Sequence, residues 1–279
     1  MGSKRRLLKQ LLPLFPSDIN TFFDLFAGGG TVTLNTKSHR YFWNDLDKPL
    51  LNMFKNLAKL TDSELISLDK QVLKLRDKNY FLRLRTEYNT NNSLTDYQQA
   101  VILFLLISGS FNGIPRFNQK SQYNMPWGSE ERFKNDSYLK GKIKYLTNYV
   151  QWCRKYDVDF KSDSYLDLIK QTDFKANDFL YFDPPYSITT ATYNDGKRNM
   201  SWDIQDDVAL VKALDALTQQ HIKWGLSNAL TSRGKSNEVL KDWLSKHNEY
   251  HVYHLSQNYS NSTYHTKPGT TDEIYVTNY

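Results

Sequence analysis

The sequence predicts an α/β fold: a doubly wound sheet interrupted by a helical insertion. Two apolar runs and a change of rhythm carry that prediction. Thr21-Phe-Phe-Asp-Leu-Phe26 is β-rich and stops at Ala27-Gly-Gly-Gly30, and Asp178-Phe-Leu-Tyr-Phe-Asp183 stops at Pro184-Pro185. Near-continuous apolar strands belong in a sheet covered on both faces. Between the two runs, the strand–helix alternation gives way to helical patterns alone. With 279 residues, 39% hydrophobic and 24% charged, the chain suits one large soluble domain with an insertion, or two domains.

Residues 4–14 carry an apolar stripe that Pro13 disturbs, which predicts a short amphipathic helix. After the first strand and its glycines, a helix is expected beyond Thr31. Arg40-Tyr-Phe-Trp-Asn44 is the second strand, with a helix over 49–60. Strand, glycine loop, helix, strand, helix opens a doubly wound sheet. Thr61-Asp-Ser-Glu64 and Thr95-Asp-Tyr-Gln98 have capping-box spacing, so each should start a helix of three turns or more. From 108 to 135 the periodicity is lost. A long loop in a compact domain points to function, and its aromatics argue against disorder. A helix over 138–156 follows. The α/β rhythm then resumes: strand 157–160, helix 165–170, strand 178–183, helix 205–220, strand 222–227, helix 237–247, and strands over 250–255 and 273–277. The sheet domain is therefore split into 1–54 and 153–279 around an insertion of 55–152.

Composition excludes several classes. The longest apolar run, 100–107, is a buried helix segment too short to span a bilayer, and no secretory leader opens the chain. Cys153 stands alone, so no internal disulfide forms, which suits a reducing cytoplasm. The 36 Lys and Arg exceed the 30 Asp and Glu by 6, a balance that admits a nucleic-acid partner. The six His show no metal-ligand spacing, so no metal site is assigned, and no Ser-His-Asp arrangement is visible.

Gly28 and Gly30 sit at a strand's carboxyl end, where glycine lets backbone amides approach a ligand. Asp45 follows Phe26 by 19 residues, the spacing at which an acid accepts from ribose hydroxyls. A nicotinamide dinucleotide would need a third glycine where Thr33 stands. A cofactor with ribose but no phosphate fits better, S-adenosylmethionine foremost. A plain strand-to-helix turn with a capping Asp would read the same way.

Asp183-Pro184-Pro185-Tyr186 is the most informative feature. An exocyclic amine on a nucleobase is a poor nucleophile, because its lone pair is delocalised into the ring. Two acceptors on its N–H bonds would hold the nitrogen with its lone pair turned towards a methyl donor. The Asp183 carboxylate and the Pro184 carbonyl can supply them, and proline adds no competing donor. Tyr186 offers a face on which a flipped base stacks. Catalysis would be mostly positioning and electrostatic stabilisation.

With these residues, the chain resembles the Dam-type DNA adenine-N6 methyltransferases, in their α arrangement and phage-like branch. The resemblance rests on Gly2-Ser-Lys4, Asp24-Leu-Phe-Ala-Gly-Gly-Gly30, Asn44-Asp45, Phe111-Asn-Gly-Ile-Pro-Arg116 and Met125-Pro-Trp-Gly128. It continues through Asp183-Pro-Pro-Tyr186, Gly225-Leu-Ser-Asn228, Tyr264-His265 and Thr271-Asp-Glu-Ile-Tyr275. It implies a Rossmann-like S-adenosylmethionine-dependent methyltransferase sheet with a helical target-recognition insertion. It implies that Lys4, Phe26, Asp45, Asp163, Ser164 and Asp183 meet the cofactor. Phe111 would insert into the duplex, with Asn112 beside it, and Ile114 and Pro126 would contact the thymine. Arg116 would read a guanine of GATC, which suits a guanidinium facing guanine O6 and N7. The family places an aromatic residue two positions before Gly2, one ahead of Met1, so that cofactor contact is expected to be missing or to lie upstream.

The reading is therefore methyl transfer from S-adenosylmethionine to adenine N6 in double-stranded DNA by base flipping, by a cytoplasmic monomer without a membrane partner. Alternatives are the same chemistry on RNA adenine, cytosine N4 or a protein amide, an inactive DNA-binding protein, and, remotely, a nicotinamide oxidoreductase. A restriction pair, a phage and a housekeeping role remain open.

Overall fold

The computed structural model describes residues 4–189, 192–194, 199–255 and 271–279, the side chains of 192–194 and 199–201 excepted. Gly2, Ser3, Tyr264 and His265 of the motifs lie outside the described residues. The chain divides into two compact units. One joins Met1–Leu46, Val158–Tyr193 and Met200–Tyr279, and the other joins Asp47–Asp157 and Asn194–Asn199.

The first unit is built on β1 (Thr21–Asp24), β2 (Arg40–Asn44), β3 (Asp157–Lys161) and β4 (Phe179–Phe182). The short strands β5 (Thr192–Asn194) and β6 (Asn199–Ser201) pair only with each other. They are followed by β7 (Lys223–Ser232), β8 (Lys235–Ser236), β9 (His251–Leu255) and β10 (Asp272–Thr277). The main sheet runs β3-β2-β1-β4-β7-β10-β9, with β8 beside β7. β1 is parallel to β2 and to β4, β4 is parallel to β7, and β10 is antiparallel to both neighbours. The strand order reverses between β1 and β4, which pair Asp24 with Tyr181. In such sheets the ligand crevice opens at the carboxyl ends of the strands beside that reversal.

Two expected helices take a different form. Residues 4–14 form a 3₁₀ turn (Lys4–Arg6), α1 (Leu8–Leu11) and a second 3₁₀ turn (Leu12–Leu14), because Pro13 has no amide to continue the helix. The helix expected after Thr31 is only the 3₁₀ turn Thr33–Asn35. There the Thr33 hydroxyl turns back to the Asp24 carboxylate, and the Thr36 backbone is extended, returning the chain to β2.

The second unit is helical: α2 (Lys48–Leu57), α3 (Asp62–Leu73), α4 (Lys78–Thr90), α5 (Asp96–Gly109), α6 (Glu130–Phe133) and α7 (Asp136–Lys155). Both capping boxes form, Thr61 with Glu64 and Thr95 with Gln98. α5 buries Ala100 and every residue from Ile102 to Leu106, and packs against α2, α3 and α4. No helix among the described residues is long and apolar enough to cross a membrane.

In the first unit, α8 (Tyr165–Gln171), α9 (Ile204–Gln219) and α10 (Glu238–Lys246) follow. Phe23, Leu180, Phe182, Leu210, Leu214, Trp224, Trp243 and Ile274 share one buried cluster. Phe22, Phe179, Tyr181 and Tyr275 instead gather around Phe15, 4.9–5.9 Å between ring centroids. Alternate residues of β1 and β4 thus enter different clusters, and all eight are buried.

Gly30 has φ +67°, and a Cβ placed there would lie 1.8 Å from the Trp43 ring. Gly30→Ala is expected to lower stability by about 1–3 kcal/mol, from overpacking together with left-handed backbone strain. The urea midpoint checks this; Gly29→Ala, with nothing within 4 Å of its Cβ, should cost less.

Candidate functional site

β1 and β4 end side by side, and the Leu25 amide donates to the Tyr181 carbonyl at 3.1 Å. Phe26–Gly30 and Asp183–Tyr186 therefore leave the sheet from adjoining strand ends. Ala27 continues the pairing with β2 by donating to the Asn44 carbonyl.

Lys4 brings the charged residues together. Its Nζ lies 2.9 Å from Asp183 Oδ1 and 2.8 Å from Glu273 Oε1, and it donates to the Tyr186 hydroxyl. That hydroxyl lies 3.3 Å from Asp183 Oδ1 and 3.1 Å from Glu273 Oε1. Burial opposes the Lys4 charge, but Asp183, Tyr181 and Glu273 outweigh it and hold the ammonium protonated. Burial pushes the Asp183 carboxyl up, and Lys4 pulls it back. Among the described residues Asp183 Oδ2 makes no hydrogen bond, while Oδ1 is tied down. One acceptor of the Asp183 carboxylate is thus held, and the other is available.

Asp24, at the end of β1, is fully enclosed. Its Oδ2 accepts from Thr33 Oγ1 at 2.6 Å. Burial pushes its carboxyl up to about 7 against that bond, and the negative charges of Asp183 and Asp45 add to the rise.

The glycine loop is set by Asp45, whose Oδ2 accepts from the Gly28 amide at 2.6 Å. Asn44 binds the Leu25 and Asp163 carbonyls and accepts from the Asp163 amide. It fixes the segment holding Asp163 and Ser164, and the Ser164 hydroxyl makes no capping bond to α8. Phe26 is half-buried among Tyr165, Phe182 and Trp202, with centroids 5.2–6.5 Å away. Gly30 faces Trp43, so there the glycine serves packing. These donors and acceptors suit S-adenosylmethionine. Asp45 matches a ribose diol, and the excess of carboxylates matches a sulfonium.

The other expected residues lie together in the helical unit. Ser110 and Trp127 bridge, and so do Phe117 and Tyr123, making the loop a folded hairpin. Phe111 is 50% exposed, and its amide donates to the carbonyl of exposed Pro126. Asn112 adopts φ +63° in the turn that presents Phe111, and Ile114 follows in extended conformation. Exposed Arg116 donates from Nε to Asn124 Oδ1 at 2.8 Å and from Nη2 to the Asn124 carbonyl at 2.9 Å. Asn89 of α4 clamps Tyr123, accepting from its amide and donating to its carbonyl.

Residues 1–261 match the D12 class of N6 adenine-specific DNA methyltransferases. The chain belongs to this family. This D12-class chain is 36% identical over 286 residues to the modification methylase StsI of Streptococcus sanguinis. It is 33% identical over 285 residues to the type II methyltransferase M.FokI of Planomicrobium okeanokoites. Both matches cover all of this chain and 42% of the relative, so it spans about two fifths of their length. It is 25% identical over 230 residues to the DNA adenine methylase of Escherichia coli K12, covering 81% of this chain and 78% of that one.

Several residues of this D12-class site had no role in the sequence reading. Glu273 reaches Lys4 from 269 positions away; it stood within the Thr271-Asp-Glu-Ile-Tyr275 motif, with nothing local to mark its partner. Asn44, Asn89 and Asn124 act through side-chain amides, which no spacing rule marks.

The raised Asp24 carboxyl costs stability once it ionises. The cost is absent below the unfolded value near 4, grows with pH, and is complete above about 7. Asp24→Asn, which keeps an acceptor for Thr33, should gain on the order of 4 kcal/mol relative to wild type between pH 4 and pH 8. Urea midpoints at both pH values check this; a constant difference between the two proteins would refute it.

Proposed function

We propose that this chain transfers a methyl group from S-adenosylmethionine to N6 of an adenine flipped out of duplex DNA, with GATC as the target. The open Oδ2 of Asp183, beside an Oδ1 held by Lys4, is the observation that carries the reading. S-adenosylmethionine, when bound, supplies an electrophilic methyl on sulfur. Asp183 Oδ2 and the Pro184 carbonyl accept the two N6–H bonds and turn the lone pair outward. The new N–C bond forms as the C–S bond breaks, and N6 then gives up a proton to solvent. Buried carboxylates around Lys4 favour the positive charge that grows on N6. Tyr186, its hydroxyl anchored by Lys4, offers its ring to the flipped base.

Charge supports DNA as the substrate. Residues 47–157 contain 18 Lys and Arg against 11 Asp and Glu, a net of 18 − 11 = +7. The rest of the chain has 36 − 18 = 18 cations against 30 − 11 = 19 acids. All the net positive charge therefore resides in the segment that holds Phe111 and Arg116. Asn124 leaves part of the Arg116 guanidinium to face guanine. The names of the modification methylases favour a role in marking DNA beside a restriction enzyme.

Incubation with GATC duplexes, read by a methylation-sensitive nuclease, tests the reading. Wild type should protect, and Asp183→Ala should reduce the rate by at least about 10²-fold. Mass analysis of the nucleosides should show N6-methyladenine; cytosine N4 or RNA products would replace this reading. Arg116→Ala should lose about 1–3 kcal/mol of discrimination at one guanine, whereas an equal loss on all sequences would make it a phosphate contact.

A further inference from the structure

We propose that Arg132, Tyr138 and Lys142 form a phosphodiester-binding clamp beside the Phe111–Gly113 turn, a site that grips the DNA backbone next to the base-contacting loop. The proposal rests on the DNA reading above and adds a site to it. The Arg132 guanidinium and the Lys142 ammonium each lie 5.1 Å from the centroid of the Tyr138 ring. Both cations also frame the turn. Arg132 Nη1 donates to the carbonyl of Ser110, the residue before Phe111, at 3.1 Å. A Cβ placed on Gly113 would lie 3.3 Å from Lys142 Nζ and 3.5 Å from the Tyr138 hydroxyl. Arg132 comes from α6 and Lys142 from α7, so two helices converge on one three-residue turn.

Two like charges on one ring repel each other, and the ring's electron density offsets only part of that. Several cations of the same unit pair with carboxylates: Arg76 with Asp136, Lys134 with Glu131, Lys140 with Asp136 and Arg154 with Asp62. Among the described residues, Arg132 and Lys142 ion-pair with no carboxylate. An anion from outside that reaches this ring offsets the repulsion and meets donors from all three side chains: guanidinium, ammonium and phenol. Duplex DNA presents such an anion at every phosphate. The exposed Phe111 ring beside the clamp gives the backbone a fixed point from which the ring reaches the bases.

Fluorescence anisotropy with a labelled GATC duplex and a scrambled duplex, titrated with salt, tests the clamp. Lys142→Gln should weaken both duplexes equally, roughly eightfold near ~0.1 M salt, and reduce the slope of log affinity against log salt by about one. Lys142→Arg, which keeps the charge, should keep the wild-type slope. An unchanged slope for Lys142→Gln would overturn the clamp, and so would a loss confined to the GATC duplex. Both results leave wild-type binding in place and spare the DNA reading. Failure of wild type to bind either duplex would overturn both together.

Discussion

The largely buried Lys4 ammonium contacts Asp183, Glu273 and Tyr186, and the candidate site is arranged around that contact. Burying an ionised carboxylate without a partner costs several kcal/mol, and at Asp183 the Lys4 ammonium offsets that cost, whereas Asp24, which has no cation beside it among the described residues, has its carboxyl pushed up to about 7. The pairing also fixes direction. Once Oδ1 is held by Lys4, the carboxylate cannot rotate freely, and Oδ2 keeps one orientation. A lysine at this place joins three distant parts of the chain: the N-terminal turn, the end of β4 and the start of β10. The ammonium also keeps the Tyr186 hydroxyl within the cluster, and so fixes the ring.

The sheet makes that meeting unavoidable. β1 and β4 are adjacent and parallel, so both loops leave from the same edge. β10 runs antiparallel to β7 and brings Glu273, near its start, to that same edge. Trp43, on the neighbouring strand, needs the space that Gly30 leaves, and Asn44 and Asp45 follow it directly. The packing that shapes the glycine loop is therefore continuous with the polar contacts that hold Asp45 and Asp163. A change at Gly30 therefore acts on the site through Trp43.

What was legible in the sequence was local. The Asp183-Pro-Pro-Tyr186 stop, the glycines after β1 and the two capping boxes each place their chemistry within a few residues. All of these take the expected backbone form. The α/β class and the helical insertion follow from hydrophobic period together with the glycine and proline stops and the capping boxes. The helix after Thr31 did not form because side-chain hydroxyls compete with helix there, and Thr33 prefers Asp24. α4 went unrecognised because it buries only Phe81 and Leu84 while carrying Arg83, Arg85 and Glu87. Yet α4 supplies Asn89, which sets the hairpin of Arg116. Contacts such as Lys4 to Glu273 depend on tertiary structure and leave no spacing to read.

On the proposed reading, charge is divided between two jobs, methyl transfer and DNA binding. Methyl transfer to an amine builds positive charge and draws on a positively charged sulfonium donor, so a surplus of buried carboxylates helps it. Burial pushes the Asp24 carboxyl up to about 7, and the charges of Asp183 and Asp45 add to the rise. Phosphate binding needs the opposite sign. Near Asp183 the one cation, Lys4, is outnumbered by the carboxylates of Asp183 and Glu273 that it contacts. Placing +7 in residues 47–157 and a slight negative balance elsewhere resolves the conflict. Salt separates the two as well. Exposed phosphate contacts are screened over about 8 Å at physiological ionic strength, whereas the buried Lys4 cluster is screened far less. Raising salt should therefore release the DNA long before it disturbs the geometry that activates the amine.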